Sequence, residues 1–247
     1  MSLGAARAAS TRAYQLLDTG TITSTGSQSY TIPAGTLYLE IEIWGAGGGG
    51  GAGGSQSGRS GTAYQAGGGG GGGAYCKHKY QPSDMQASDT LNFTVGAGGA
   101  RDTSIGGMGG GTNGANTTLD THKRSTTTIT SFGVDANGGK GGLSGFAFSV
   151  GGLDGDGGTA SGGSETNTSG EDGGARPSQS GSTHSGPDGG DGANGGAGGD
   201  GGVTSFSSDQ YAGNGVVPGG GGGGGASSSE VYGGTGAKGK VIVKAYG

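Results

Sequence analysis

The chain has little of what fills an ordinary protein core. Of its 247 residues, 28% are hydrophobic, 6% aromatic and 13% charged. Globular domains run to about 45–50% apolar, so a conventional core for a chain of this length cannot be built. The single Cys76 excludes an internal disulfide framework and fits assembly in a reducing cytoplasm. With 5 prolines, a collagen triple helix is excluded. No apolar run reaches the roughly 18 residues of a membrane-spanning helix. Met1-Ser2-Leu3-Gly4-Ala5 lacks a basic start followed by an apolar stretch, so no signal peptide is expected. A net charge of −5, few arginines and scattered aromatics argue against a nucleic-acid partner.

What is present is glycine, 71 residues of it. That is roughly four times the usual share. One reading is disorder, because such a chain buries little apolar area and glycine loses the most backbone freedom on folding. The other is an order built from the backbone itself. Low net charge and clear strand patterns favour the second.

The strand signals are local. Tyr30-Thr31-Ile32-Pro33-Ala34-Gly35 reads as strand then turn. Leu37, Leu39, Ile41 and Ile43 alternate with Tyr38, Glu40 and Glu42, the period of a strand with one buried face. Trp44 ends it and Gly47 to Gly51 follow. Leu91-Asn92-Phe93-Thr94-Val95 is a second alternating strand. Thr126 to Phe132 and Phe146 to Val150 are further candidates. Lys240 to Tyr246 carries apolar residues on both faces, which predicts a central or well-covered strand. The pattern predicts an all-β fold: a small antiparallel β-sandwich or barrel carrying glycine-rich, polyglycine II-like loops or helices.

Two regions stand apart. Residues 1–27 read as an N-terminal arm, a short helix or a frayed end; Arg7, Arg12, Leu16 and Leu17 are its candidate attachment residues. Residues 28–247 read as one glycine-rich β domain with a long insertion at about 138–226, either a flexible linker or a structure of its own. Within it, Gly186, Gly189, Gly192, Gly195, Gly198 and Gly201 keep a strict three-residue register. Three residues per turn is the period of the polyproline II helix, which has no internal hydrogen bonds. Glycine on every third edge lets neighbouring backbones approach and pair. Gly-Gly-x triplets such as Gly198-Gly199-Asp200 free two edges and turn the third to water.

The order of these landmarks resembles the glycine-rich domain of bacteriophage tail fibres and related virion proteins. The likeness rests on the Ile32-Pro33-Ala34-Gly35 turn, the Leu39–Trp44 strand ending in Gly45-Ala46-Gly47, and Gly73-Ala74-Tyr75. It continues through Val95-Gly96-Ala97-Gly98-Gly99, Thr130-Ser131-Phe132-Gly133, the Gly219 to Gly225 run and Val241-Ile242-Val243. The resemblance covers roughly residues 28–247. It implies a virion protein, a tail-fibre or tail-tip component that contacts the host surface or neighbouring subunits, without catalysis. A capsid decoration, cement or head-fibre protein is the alternative position, and an ice-binding polyglycine II protein the alternative class. The implied partners are other virion proteins and a host-surface receptor, with homo-oligomerisation by analogy. The implied location is the virion, after synthesis in the host cytoplasm.

Chemical motifs are sparse. Cys76 and His78 supply two metal-ligand types where a structural zinc site needs four, and His122 and His184 have no helpful spacing. Gly189 to Gly202 lacks the Asp and the large apolar residue of a calcium-binding β-roll repeat. No Ser/His/Asp set stands out, so neither a catalytic residue nor a cofactor is expected. Tyrosines on Gly/Ser-rich loops suit contact surfaces; Tyr211, Val216, Val217 and Tyr232 form the candidate contact loop, whereas Tyr75 and Tyr80 belong near the strands. If 186–202 is ordered, its amides exchange slowly with solvent deuterium; uniformly fast exchange there returns the region to a linker.

Overall fold

The computed structural model describes residues 14–58, 61–82, 85–104, 109–125, 127–130, 132–145, 154–175, 184–205, 208–226 and 231–247. Its strands, in chain order, are β1 (Leu16–Ile22), β2 (Gly26–Thr31), β3 (Tyr38–Trp44), β4 (Gly54–Gly58), β5 (Gly61–Gln65), β6 (Tyr75–Tyr80), β7 (Thr90–Val95) and β8 (Thr117–Lys123). There follow β9 (Thr128–Thr130), β10 (Asp135–Ala136), β11 (Ala160–Ser161), β12 (Thr166–Thr168), β13 (His184–Ser185), β14 (Val203–Ser205), β15 (Ser208–Gln210) and β16 (Lys240–Tyr246). There is no helix among the described residues, and the fold is all-β.

Two antiparallel sheets face each other. One runs β1-β16-β3-β6-β12; the other runs β11-β10-β8-β7-β2, with β9 on β8. The alternation seen in the sequence places the core. Leu39, Ile41, Ile43, Val241, Val243 and Ala245 point inward from the first sheet onto Leu91, Phe93, Val95 and Leu119 of the second. Each such aliphatic side chain contributes about 1.5–3 kcal/mol on burial. β16 is central, between β1 and β3, as its two apolar faces predict. Its outer Ile242 packs on the Trp44 cluster.

Three sequence readings change. Leu37 does not share the inner face of Leu39; it precedes β3 and is 50% exposed. Leu16 and Leu17 are strand rather than helix, because β1 pairs along β16 from Leu16↔Tyr246 to Ile22↔Val241. The Thr126–Phe132 candidate contributes only Thr128–Thr130 among the described residues. The Phe146–Val150 candidate lies outside them, as does residues 1–13.

Above the sandwich the strands run on as extended glycine segments, and their hydrogen bonds identify the geometry. In 45–53, the N–H groups of Gly45, Gly48 and Gly51 donate to Ala74, Gly71 and Gly68. Those of Ala46 and Gly49 donate to Ala115 and Thr112, and those of Gly47, Gly50 and Gly53 to Ala237, Gly234 and Val231. Each direction recurs at the third residue and every partner is remote in sequence. That requires three residues per turn and excludes both α-helix and ladder. The carbonyls repeat the rule: Ala46, Gly49 and Ala52 accept from Gly139, Gly142 and Gly145, Gly47 and Gly50 from Gly99 and Asp102, and Gly48 and Gly51 from Gly222 and Gly225. The segment therefore has six hydrogen-bonded neighbours.

Segments 67–74 and 219–225 are surrounded in the same way, and the three bond one another, as in Gly48 N–H to Gly71, Gly70 N–H to Gly222 and Gly222 N–H to Gly48. This is the interior of a hexagonal lattice of threefold helices. An interior helix has no edge facing water, so its glycines have no room for a side chain, and a methyl enters only near the segment ends, at Ala46, Ala52 and Ala74. A Cβ on Gly48 would lie 2.0 Å from the Lys140 carbonyl oxygen, and one on Gly222 would lie 2.1 Å from that of Gly234. The long glycine runs are thus the interior and the Gly-Gly-x triplets are the rim. Along 186–202, Asp188, Asp191, Asn194, Ala197 and Asp200 are exposed while the glycines between them are mostly covered. The lattice is wider than the 138–226 stretch, since 45–53, 67–74, 96–102, 111–116 and 231–239 also belong to it.

Rim side chains complete the bonding. Oδ1 of Asp191 and of Asp188 accepts the N–H of Gly198 and Gly201, each at 2.7 Å. Asn113 and Asn116 serve Gly141 and Gly138 in the same antiparallel, three-residue step. Short carboxylates and amides at x thus satisfy peptide groups that lack a further helix to bond.

Trp44 joins the two parts. It is buried with Tyr75 and Ala193, and its Nε1–H donates to the Asn194 carbonyl at 3.1 Å, across the turn at which one rim helix reverses. Replacing Gly222 by Ala is expected to destabilise by at least about 3 kcal/mol, the upper range of overpacking. Asp191→Ala should cost only about 1 kcal/mol. Trp44→Ala should cost about 3–5 kcal/mol. Denaturant unfolding of the three variants checks the ranking.

Candidate contact surface

The lattice separates two ends. At the sandwich end, Gln15 and Gly247 exchange both backbone hydrogen bonds, each 2.9 Å. Tyr14, Leu16, Leu17 and Leu37 are exposed there, and Tyr14, Thr36, Leu37, Gln81, Pro82 and Met85 line a cavity of about 450 Å³. Leu17 of the predicted attachment arm lies over Gly35 and Gly247. Arg7 and Arg12 lie outside the described residues.

At the far end lie described parts of the segments between lattice helices, 54–58, 61–66, 203–205 and 208–211 among them. The described backbone includes the β4–β5 hairpin and the three-stranded β13-β14-β15 sheet. These connections are rich in Ser, Thr, Gln and Gly.

Of the predicted contact residues, Tyr211 and Tyr232 lie near this end. Tyr211 and Tyr232 stand on neighbouring helices and stack, with ring centroids 5.9 Å apart and planes at 7°. Tyr211 is 62% exposed. Val216 and Val217 are also exposed, further along the Tyr211 helix toward the sandwich, so they do not join the stack. Arg101, which sequence reading missed, lies with its Cζ 5.6 Å from the Tyr232 ring centroid. Nothing local in the sequence links positions 101, 211 and 232; only the lattice makes them neighbours.

Tyr75 and Tyr80 sit at the two ends of β6 and are buried, as expected of residues near the strands. The Tyr75 O–H donates to Glu42, and burial followed by the Glu42 charge pushes its phenol up to about 12. Glu42 also receives Lys244 at 2.7 Å, and Lys77 pairs with Glu165 at 2.9 Å. These partly exposed pairs on the sheet's outer face are worth about 0–1 kcal/mol each.

Cys76 and His78 are placed by carbonyl oxygens. The Cys76 thiol donates to Asn167 Oδ1 at 3.4 Å, and His78 Nδ1 lies 3.2 Å from the Gly162 carbonyl. Burial lowers the His78 pKa, and burial followed by the Asp135 charge pushes the Cys76 thiol up to about 11. His122 is fully buried, in a hydrogen-bonded chain that no local sequence pattern signals. Its Nε2–H donates to Asp89 Oδ2 at 3.1 Å, and in the neutral ring its Nδ1 accepts the Tyr80 O–H at 2.7 Å. Asp89 also accepts the Gln86 N–H, so the chain ties the loop before β7 to the sheet.

Sandwich, lattice and far-end reversals together define an all-β protein whose body is a lattice of glycine helices. The chain belongs to the glycine-rich domain family, whose match spans residues 22–246. A comparison with curated proteins finds no match. No helix among the described residues is long and apolar enough to cross a membrane.

A raised thiol pKa leaves little thiolate at pH 8, so Cys76 of the folded protein should resist alkylation by iodoacetamide. Its rate should climb as pH approaches 11, and denaturant at pH 8 should release full reactivity. Mass spectrometry of the alkylated fraction checks both.

Proposed function

We propose that this protein is a non-catalytic virion component of the bacteriophage tail-fibre or tail-tip type, which holds a polar contact surface away from its attachment end. The observation that carries this reading is the polarity of the molecule. Exposed Tyr14, Leu16, Leu17 and Leu37 surround the paired ends of the described chain. The β4–β5 pair, the β13-β14-β15 sheet and the Tyr211–Tyr232 pair lie at the opposite end. Exposed apolar patches rimmed by polar residues are typical of protein docking sites, and Tyr on Ser/Gly-rich segments is typical of recognition surfaces.

The lattice suits the spacer between them. Its interior helices are cross-bonded in six directions, so none of them bends without breaking bonds to its neighbours. It also confines side-chain variation to rim and connections, which leaves the contact end free to differ without disturbing the body. The outward positions mix Asp, Asn, Ala, Lys, Leu and Tyr rather than repeating one short side chain, which fits a contact surface better than an ice-ordering face.

Electron microscopy of particles labelled with an antibody to this chain is expected to mark the tail tip or fibre. Label on the head would move the protein to the decoration class, and unlabelled particles would end the virion reading. Recombinant protein in excess should slow adsorption of the phage to its host; unchanged adsorption at saturation would remove the host-contact role.

A further inference from the structure

Among the described residues, two tyrosine pairs stack with planes at 7°, and they differ in how they are covered. Tyr38 and Tyr246, on the sandwich, stack at 4.7 Å. Tyr14 packs edge-on against Tyr38, Lys79 lies over its ring at 4.2 Å, and Tyr38 is only 8% exposed. That pair is covered and contributes burial. Tyr211 and Tyr232 stack at 5.9 Å with Tyr211 left 62% exposed. An open aromatic ring returns little stability for its ordering, yet stacking on Tyr232 holds it in a fixed plane.

The surroundings of the open ring narrow what fits it. Asn214 and Thr235 lie three residues on from Tyr211 and Tyr232, about 9 Å along the same two helices. Asn214 Oδ1 accepts both the N–H and the O–H of Thr235, at 2.9 and 2.8 Å, which leaves the amide N–H groups of Asn214 as donors to a ligand. On the other side stands Arg101, exposed and paired with no carboxylate among the described residues. The carboxylate next to it in sequence, Asp102, is turned to the backbone N–H groups of Ala52 and Ser104. The surface thus offers a flat aromatic plane, amide donors and one cation on a chain of net charge −5. A nucleic acid needs many cations. A pyranose ring matches: its C–H face stacks on the electron-rich face of Tyr211, its hydroxyls meet the polar row, and a ring carboxylate meets the Arg101 fork.

We propose that Arg101, Tyr211 and Tyr232, with Asn214, form a binding site for a carboxylate-bearing saccharide. Tyr211 is the stacking platform, Tyr232 its support, and Arg101 selects the acidic sugar. The site rests on the reading of this end as the contact surface, and supplies that reading with a ligand class.

The test uses the full chain with trigalacturonate and with neutral maltotriose, followed by saturation-transfer NMR and calorimetry. Trigalacturonate should bind in the millimolar range, more tightly than maltotriose, and more weakly as salt is raised. Tyr211→Ala should lose about tenfold in affinity, whereas Tyr211→Phe should stay within about threefold. Arg101→Gln should remove the preference for the acidic sugar while keeping the maltotriose signal. Unchanged unfolding midpoints keep these losses from being read as misfolding. Absence of saturation transfer to either sugar, or equal binding by Tyr211→Ala, would overturn the site. Either result leaves particle labelling untouched, so failure of the saccharide site and failure of the virion reading are told apart.

Discussion

The structure depends on one interaction, the peptide N–H to peptide C=O bond between threefold helices. A buried peptide group without a partner loses several kilocalories relative to water, while a made bond returns only about 1 kcal/mol net. The lattice satisfies this asymmetry by geometry. A three-residue turn aims successive N–H groups in three directions and successive C=O groups in three others, so a helix with six neighbours leaves none behind. Helices can be that close only when no Cβ intervenes, and the 2.0 Å gap above Gly48 states the condition directly. Glycine's entropy cost is the consequence of this packing.

From that constraint the sequence layout follows. Interior helices must be glycine along their middle, with alanine only near their ends (Ala46, Ala52, Ala74), whereas rim helices need glycine at two positions in three and the third position faces water. The rim's dangling N–H groups then select the residue at x. Asp and Asn are short enough to reach back to an adjacent backbone, as Asp188, Asp191, Asn113 and Asn116 do. The prevalence of Asp and Asn among the glycines is a hydrogen-bonding feature of the fold rather than a sign of metal chemistry.

Legibility divides along the same line. Strands are readable where the pattern is local: Leu39–Ile43 and Leu91–Val95 by period-two alternation, and Lys240–Tyr246 by apolar residues on both faces. The triplet register of 186–201 was readable for the same reason. What escaped was set by partners far away. Leu37 continues the alternation in sequence, but the turn before β3 leaves it outside the sheet. Leu16 and Leu17 look helical beside an alanine-rich start, and only the edge of β16 makes them a strand. Glycine runs gave no hint of which would be interior, since that depends on how many neighbours each acquires. The Tyr80–His122–Asp89 chain and the approach of Arg101 to Tyr232 join residues with no shared local pattern.

The lattice also explains why a site belongs at its edge. An interior whose glycines leave no room even for a Cβ can host no pocket, and bonding in six directions leaves no soft interior segment to open one. Chemistry is therefore confined to rim positions and to the connections where helices reverse. Adjacent rim helices place their x residues side by side and repeat them about every 9 Å, so the rim works as a grid on which unlike side chains meet in fixed planes. Tyr211 beside Tyr232, and Asn214 beside Thr235, are two successive rows of that grid. Recognition on such a surface needs no groove. It needs only that the rows carry the right side chains, and that the backbone beneath them does not move.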